Sequence, residues 1–189
     1  MKRVLVACLL AVLAAPAFAV IGTVDDVPAA TLLLPYFEVD LDDANGINTL
    51  MSINNASATA VLAHVVLWTE LSVHVLDFNI YLTGYDVQAL NLRDILVNGN
   101  LPRTADAGND GADTISPQGP ASYDEAFPSC DPFLPYTNPA LNATYIEHVQ
   151  NLLTGQGSDN FGWDGQCSGV DHGDRIARGY VTVDTVNEC

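Results

Sequence analysis

Apolar and polar positions alternate through much of the first half of the chain, and the alternation predicts strands. "TLLLPYFEV" (31–39) is an apolar run carrying Pro35, which has no ladder N–H and so marks an edge strand or a bulge. "INTLMSINN" (47–55) and "TAVLAHVVLWTE" (59–70) follow, rich in Val, Leu, Ile and Thr. The short "NASA" between them predicts an antiparallel hairpin. "SVHVLDFNIYLTG" (72–84) puts His74, Leu76, Phe78, Ile80 and Leu82 on one face of a strand and Asp77, Asn79 and Tyr81 on the other. Gly84 opens a turn into "YDVQALNL", and "NLRDILVNG" (91–99) predicts a short helix stopped by Asn98 and Gly99.

Several short strands with no long helix between them predict a mainly β fold, an antiparallel β-sandwich of the immunoglobulin-like or jelly-roll kind over residues 20–98. Residues 99–175 change character and read as a loop-rich insertion. From residue 99 to 138 Gly, Pro, Asp, Asn and Ser dominate and no apolar period survives. One helix follows over 139–153, with Asn138 as cap, Pro139 at its first position and an apolar stripe of Leu141, Tyr145, Val149 and Leu152 that ends before Gly155. "RIARGYVTVDTVNEC" then returns a strand over 176–189.

The first nineteen residues form a secretory signal. Lys2 and Arg3 supply the positive start, "VLVACLLAVLAAP" the apolar core, and "AFA" the small residues of a cleavage site after Ala19. The expected protein is secreted, in the periplasm, at the cell surface or outside the cell. No apolar stretch reaches the roughly 20 residues a spanning helix needs. The net charge is −17, from 6 Lys and Arg against 23 Asp and Glu, so nucleic acids and anionic lipid surfaces are poor partners. Acidity of this size often accompanies disorder, but an apolar fraction of 49% is enough to build a core.

Export makes disulfides the expected state of the cysteines. Cys8 leaves with the signal, and the three that remain are Cys130, Cys167 and Cys189. Both Cys130 to Cys167 and Cys167 to Cys189 are open pairings; the first is preferred, because a segment poor in core residues gains most from a staple, about 4 kcal/mol on a chain-entropy model. Cys189 is then unpaired or paired with a residue downstream, and a strand that stops without a turn favours a chain that continues.

The segments "ATLLLPYFEVDL", "LDFNIYLTGYDVQALNLRDIL" and "ARGYVTVDTVNEC" are similar to the amino-terminal part of large secreted bacterial proteins of uncharacterised function. The resemblance implies secretion and a longer protein, and brings no catalytic residues with it.

Three chemistries deserve a place. Calcium is suggested by oxygen ligands on Gly-containing loops, Asp40, Asp42, Asp43 and Asn45 in one and Asp106, Asn109, Asp110 and Asp113 in the other. Neither fits an EF-hand, since aligning Gly46 puts Leu41 at the first ligand position and aligning Gly111 puts Gly108 at the third. Asp, Asn and Gly also simply make turns. Acid–base chemistry is suggested by His148 and by His172 between Asp171 and Asp174, but adjacent helix residues diverge, so Glu147 cannot orient His148. His64 and His74, inside apolar strands, read as core or sheet-face residues. No nucleophile elbow, His-Glu-x-x-His pair or phosphate loop is present. Carbohydrate stacking is suggested by aromatic residues, with Trp163 in the loop "NFGWDGQ" the better placed and Trp68 read as core. The expected function is a non-catalytic, structural or adhesive β module that contacts an extracellular protein or glycan. A calcium-assisted carbohydrate-binding module is the alternative, and an extracellular hydrolase the third reading.

Overall fold

The structure is a computed structural model, and it describes residues 29–59, 61–82, 84–102 and 141–186. These residues form a mainly β protein with antiparallel sheets and two α-helices. The elements are β1 (Thr31–Asp40), β2 (Leu50–Asn54), β3 (Val61–Thr69), β4 (His74–Leu82), β5 (Val87–Asn91), α1 (Leu92–Asn98), α2 (Ala143–Leu153) and β6 (Ile176–Val186). Four strands form one sheet in the order β1-β6-β3-β4, and β2 pairs with β5 in a second.

The expected hairpin between the second and third strands does not form. β2 pairs with β5 and β3 with β4 and β6, so the two runs lie in different sheets. Asn55 is the physical reason. Its buried carbonyl accepts from the Ser57 backbone N–H and hydroxyl, and its amide donates to Thr59 O, which folds the connection into a tight local knot. The true hairpin is the next one. Thr69, fully buried, closes β3 onto β4 by exchanging backbone bonds with Val73 and Ser72 and accepting the Val73 N–H on its hydroxyl.

Other expectations hold in detail. Pro35 sits at an edge strand where the β1–β6 register shifts between Leu34 and Phe37. Leu76, Phe78, Ile80 and Leu82 all face the core. His74 does not; a register shift between Leu67 and Trp68 turns it to the exposed side, half open beside Asp77. α1 begins at Asn91, whose side chain accepts the Asp94 N–H, and ends at Gly99 with φ +72°.

α2 starts later than the periodicity predicts. Leu141 and Asn142 are not helical, and Asn142 is the cap, accepting the Tyr145 N–H. Asn138 and Pro139 lie outside the described residues. The apolar stripe is right: Val149, Leu152 and Leu153 are buried, joined by His148. Gln150 donates to Leu96 O, satisfying a terminal carbonyl of α1, and so ties the two helices together.

One face of the four-stranded sheet carries Ala63, Val65, Leu67, Val181 and Val183, which share a single core with Ile53 and Leu90 of the second sheet and with both helices. The last strand, β6, runs through the middle of its sheet, so the core is complete only when residues 176–186 are in place. Among the described residues no helix is long and apolar enough to cross a membrane.

Candidate functional site

The calcium loop on Asp40 is a built turn. One Asp40 oxygen accepts the backbone N–H groups of Asp42 and Asp43, at 3.0 and 2.9 Å, and these bonds hold its carboxyl below the ordinary range. Asp43 accepts from Asn45 N–H in turn, and Asp42 faces Arg175. Among the described residues no three His, Cys, Asp or Glu side chains gather to hold a metal ion. Asp106, Asn109, Asp110 and Asp113 lie outside those residues, as do Cys130 and Cys189. Cys167 is exposed and forms no disulfide among the described residues.

Two of the histidines are sheet-face residues, as their strands suggest, and the other two find partners away from their neighbours in sequence. His64 and His74 lie on the outward face of the sheet, on either side of Asp77, with Nε2 atoms 3.8 and 3.1 Å from its carboxylate. His64 Nδ1 meets Asn79 Oδ1 at 2.7 Å. His172 pairs with Glu70 on the β3–β4 turn, at 2.9 Å, rather than with Asp171 or Asp174. Trp68 is not core either. It is half-buried on the outward face, donates from Nε1 to Thr182 Oγ1 and stacks nearly parallel to Tyr180.

His148 is the buried one, 3% exposed. Its Nδ1 lies 2.8 Å from the Ser158 hydroxyl, which also accepts the Asn160 N–H. The economical arrangement has Ser158 donating to an unprotonated Nδ1, since this gives the buried hydroxyl proton an acceptor while its oxygen accepts from Asn160. Three aromatic rings close round the imidazole, with centroids at 5.9 Å for Tyr145, 5.0 Å for Phe161 and 5.4 Å for Trp163. Burial lowers the basicity of His148 below that of an ordinary histidine. Ser158 is equally buried.

The segment that brings Ser158, Phe161 and Trp163 to the helix is an Ω-loop. Its ends meet: Gly169 N–H donates to Leu152 O at 2.7 Å, and Gly155 packs so closely on Val170 and Asp171 that a Cβ has no room, at a φ of +74° that favours glycine besides. Inside, Gly165 N–H closes back on Ser158 O. Phe161, Asp164 and Cys167 all sit at positive φ, 58°, 48° and 55°. Each costs about 1 kcal/mol or more for an L-residue, so contacts elsewhere hold this loop in shape.

Trp163 anchors against the core, whereas Phe161 stands 59% exposed. Phe161, Trp163, Asp164, Gln166 and Cys167 line an open groove of about 290 Å³. A larger cleft of about 470 Å³ opens at one end of the core beside Leu32, Leu33, Ile53 and Val183. The polar atoms of Asn55 and Ser57 in its wall are spent on their own loop. The smaller groove joins an aromatic face to free carboxylate and amide groups, the combination that orients a ligand.

The sequence singles out Trp163, which lines this groove, but not Phe161 or Ser158. The signal for the latter lies ten residues beyond His148 and across a loop, where no periodicity carries information. Comparison with protein-family models, with curated proteins and with solved structures returned no match.

Proposed function

We propose that this chain is a secreted, non-catalytic β module of structural or adhesive role, and that it meets its extracellular partner through the Ω-loop between Gly155 and Gly169. The signal sequence supports the compartment. The observation that carries the contact surface is Phe161, a large aromatic held out in solvent at positive φ beside an anchored Trp163. Tyr85 is as exposed and also sits at positive φ, so what singles out Phe161 is its place on the wall of a groove that it shares with Trp163, Asp164 and Gln166.

In the finer architecture we propose, the β2–β5 ladder and the helices form the second layer of a small open sandwich, related to the immunoglobulin-like or jelly-roll kind. Ile53 and Leu90 facing the core of the larger sheet support this reading. Export favours a bridge between Cys130 and Cys167, and we propose that pairing for the exposed Cys167.

Carbohydrate binding is the second reading, favoured by the groove itself. Phe161 offers a ring face, and Asp164 and Gln166, both exposed, offer planar hydrogen-bonding groups at the edge of a groove sized for a sugar ring. A panel of immobilised glycans and extracellular matrix proteins, probed with the wild type and with Phe161→Ser, tests both readings. Binding that the substitution removes supports the contact surface, and the class of the bound ligand separates glycan from protein.

A further inference from the structure

We infer that the Ω-loop is latched by neutral His148 and released when His148 takes a proton, so that the contact groove assembles near neutral pH and comes apart in acid. The inference rests on the reading of that loop as the contact surface, and adds its regulation.

The loop closes on itself at its base. Both ends converge on one point, Gly155 against Asp171 and Gly169 on Leu152, so the segment between them is a compact unit outside the strand ladders. Its interior is strained at Phe161, Asp164 and Cys167. The loop is held to α2 by His148, which binds Ser158 and packs against Phe161 and Trp163, by the Tyr145 ring on Phe161, and by backbone bonds to Asn151 and Leu152. His148 is the titratable member of this set, and a strained loop that depends on one buried titratable contact is a two-state element.

Protonation weakens this catch for a chemical reason. A protonated Nδ1 can no longer accept the serine hydroxyl, so the bond must reverse, with the Ser158 oxygen accepting from both Asn160 and His148 and the buried hydroxyl proton losing its acceptor. The imidazolium charge then sits 3% exposed. Among the described residues no carboxylate pairs with His148. Glu147 on the same helix, and Asp159 and Asp164 on the loop, are all exposed, and none makes an ion pair with His148. Asp77 on β4 acts on Tyr145, whose hydroxyl it helps to keep protonated after burial. The aromatic faces return part of the lost solvation, and opening to water returns the rest.

The sign follows from the burial. A histidine whose folded basicity is depressed stabilises the closed form at pH above its ordinary value of 6.5, and that contribution is lost as pH falls below it.

The test needs no ligand. In a Trp68→Phe background Trp163 is the sole tryptophan, and acrylamide quenching of its fluorescence reports loop opening. Between about pH 7.5 and pH 5 quenching rises about twofold or more, with the far-ultraviolet circular dichroism of the sheet unchanged. In His148→Leu/Ser158→Ala, which keeps the box filled and leaves no orphaned hydroxyl, the rise is absent. The same rise in that variant, or no rise in the parent across this range, overturns the proposal. If the double variant does not fold, nitrogen NMR of the parent decides: His148 must titrate together with the quenching change, and a His148 that protonates while the loop stays closed contradicts it. Because the readout is intrinsic, a pH-driven opening with no binding partner found would sink only the contact reading.

Discussion

Phe37 lies against Gly179 across the β1–β6 pairing, with its ring 3.1 Å from the place a Cβ would occupy. The same Cβ would collide with the carbonyl oxygen of Trp68 on the other neighbouring strand. Gly179 is therefore the position where the last strand passes between two earlier ones with no room for a side chain. Gly179→Ala is expected to destabilise the fold by about 3 kcal/mol, because neither a backbone carbonyl nor a fully packed ring can retreat cheaply. A lower denaturant midpoint with an unchanged slope checks it; a variant as stable as the wild type would contradict the sheet order.

This relationship marks the boundary of what could be read from the chain. Pro35 disclosed its edge strand because a missing N–H is a local fact, and Asn91 and Gly99 disclosed their helix because caps act within a few residues. Pairing is not local. β3 is buried on both faces, with Leu62 and Val66 as enclosed as Ala63 and Val65, so its pattern names no preferred neighbour. The partner it takes, β6, is more than a hundred residues away. The same limit hid the site, since His148 is decided by Ser158 and Phe161 rather than by Glu147.

Arg178 links the same strand to two acids. Its guanidinium binds both oxygens of Asp174 at 2.8 Å and reaches Glu38 at 3.2 Å. These bonds hold the Asp174 carboxyl at about 2, below its ordinary 3.8. A depressed carboxyl stabilises the fold above its unfolded value, and the contribution is lost as pH falls from about 4 toward about 2. Arg178→Met is expected to lower the melting temperature at neutral pH and to flatten its dependence on pH across that interval. An unaltered acid profile would show that the pair contributes nothing.

Asp40 is a turn residue in this structure, with its oxygen spent on Asp42 and Asp43. Asp40→Ala should lower the melting temperature by the same amount with EDTA as with millimolar calcium, since the lost bonds are to backbone. A loss that appears only with calcium present would make this loop a metal site. A rise of the wild-type melting temperature with calcium that survives Asp40→Ala would assign the ion to other residues.

The contact surface is the central claim, and one comparison tests it most directly: binding of the wild type and of Phe161→Ser to a panel of immobilised glycans and extracellular proteins at neutral pH. Phe161 is 59% exposed and lies outside the core, so the substitution should lower the melting temperature by a few degrees at most through its ring contacts with Tyr145 and His148, while removing an aromatic anchor should weaken whatever binds by about tenfold or more. Equal binding by both proteins, or a panel on which the wild type binds nothing, would contradict the account.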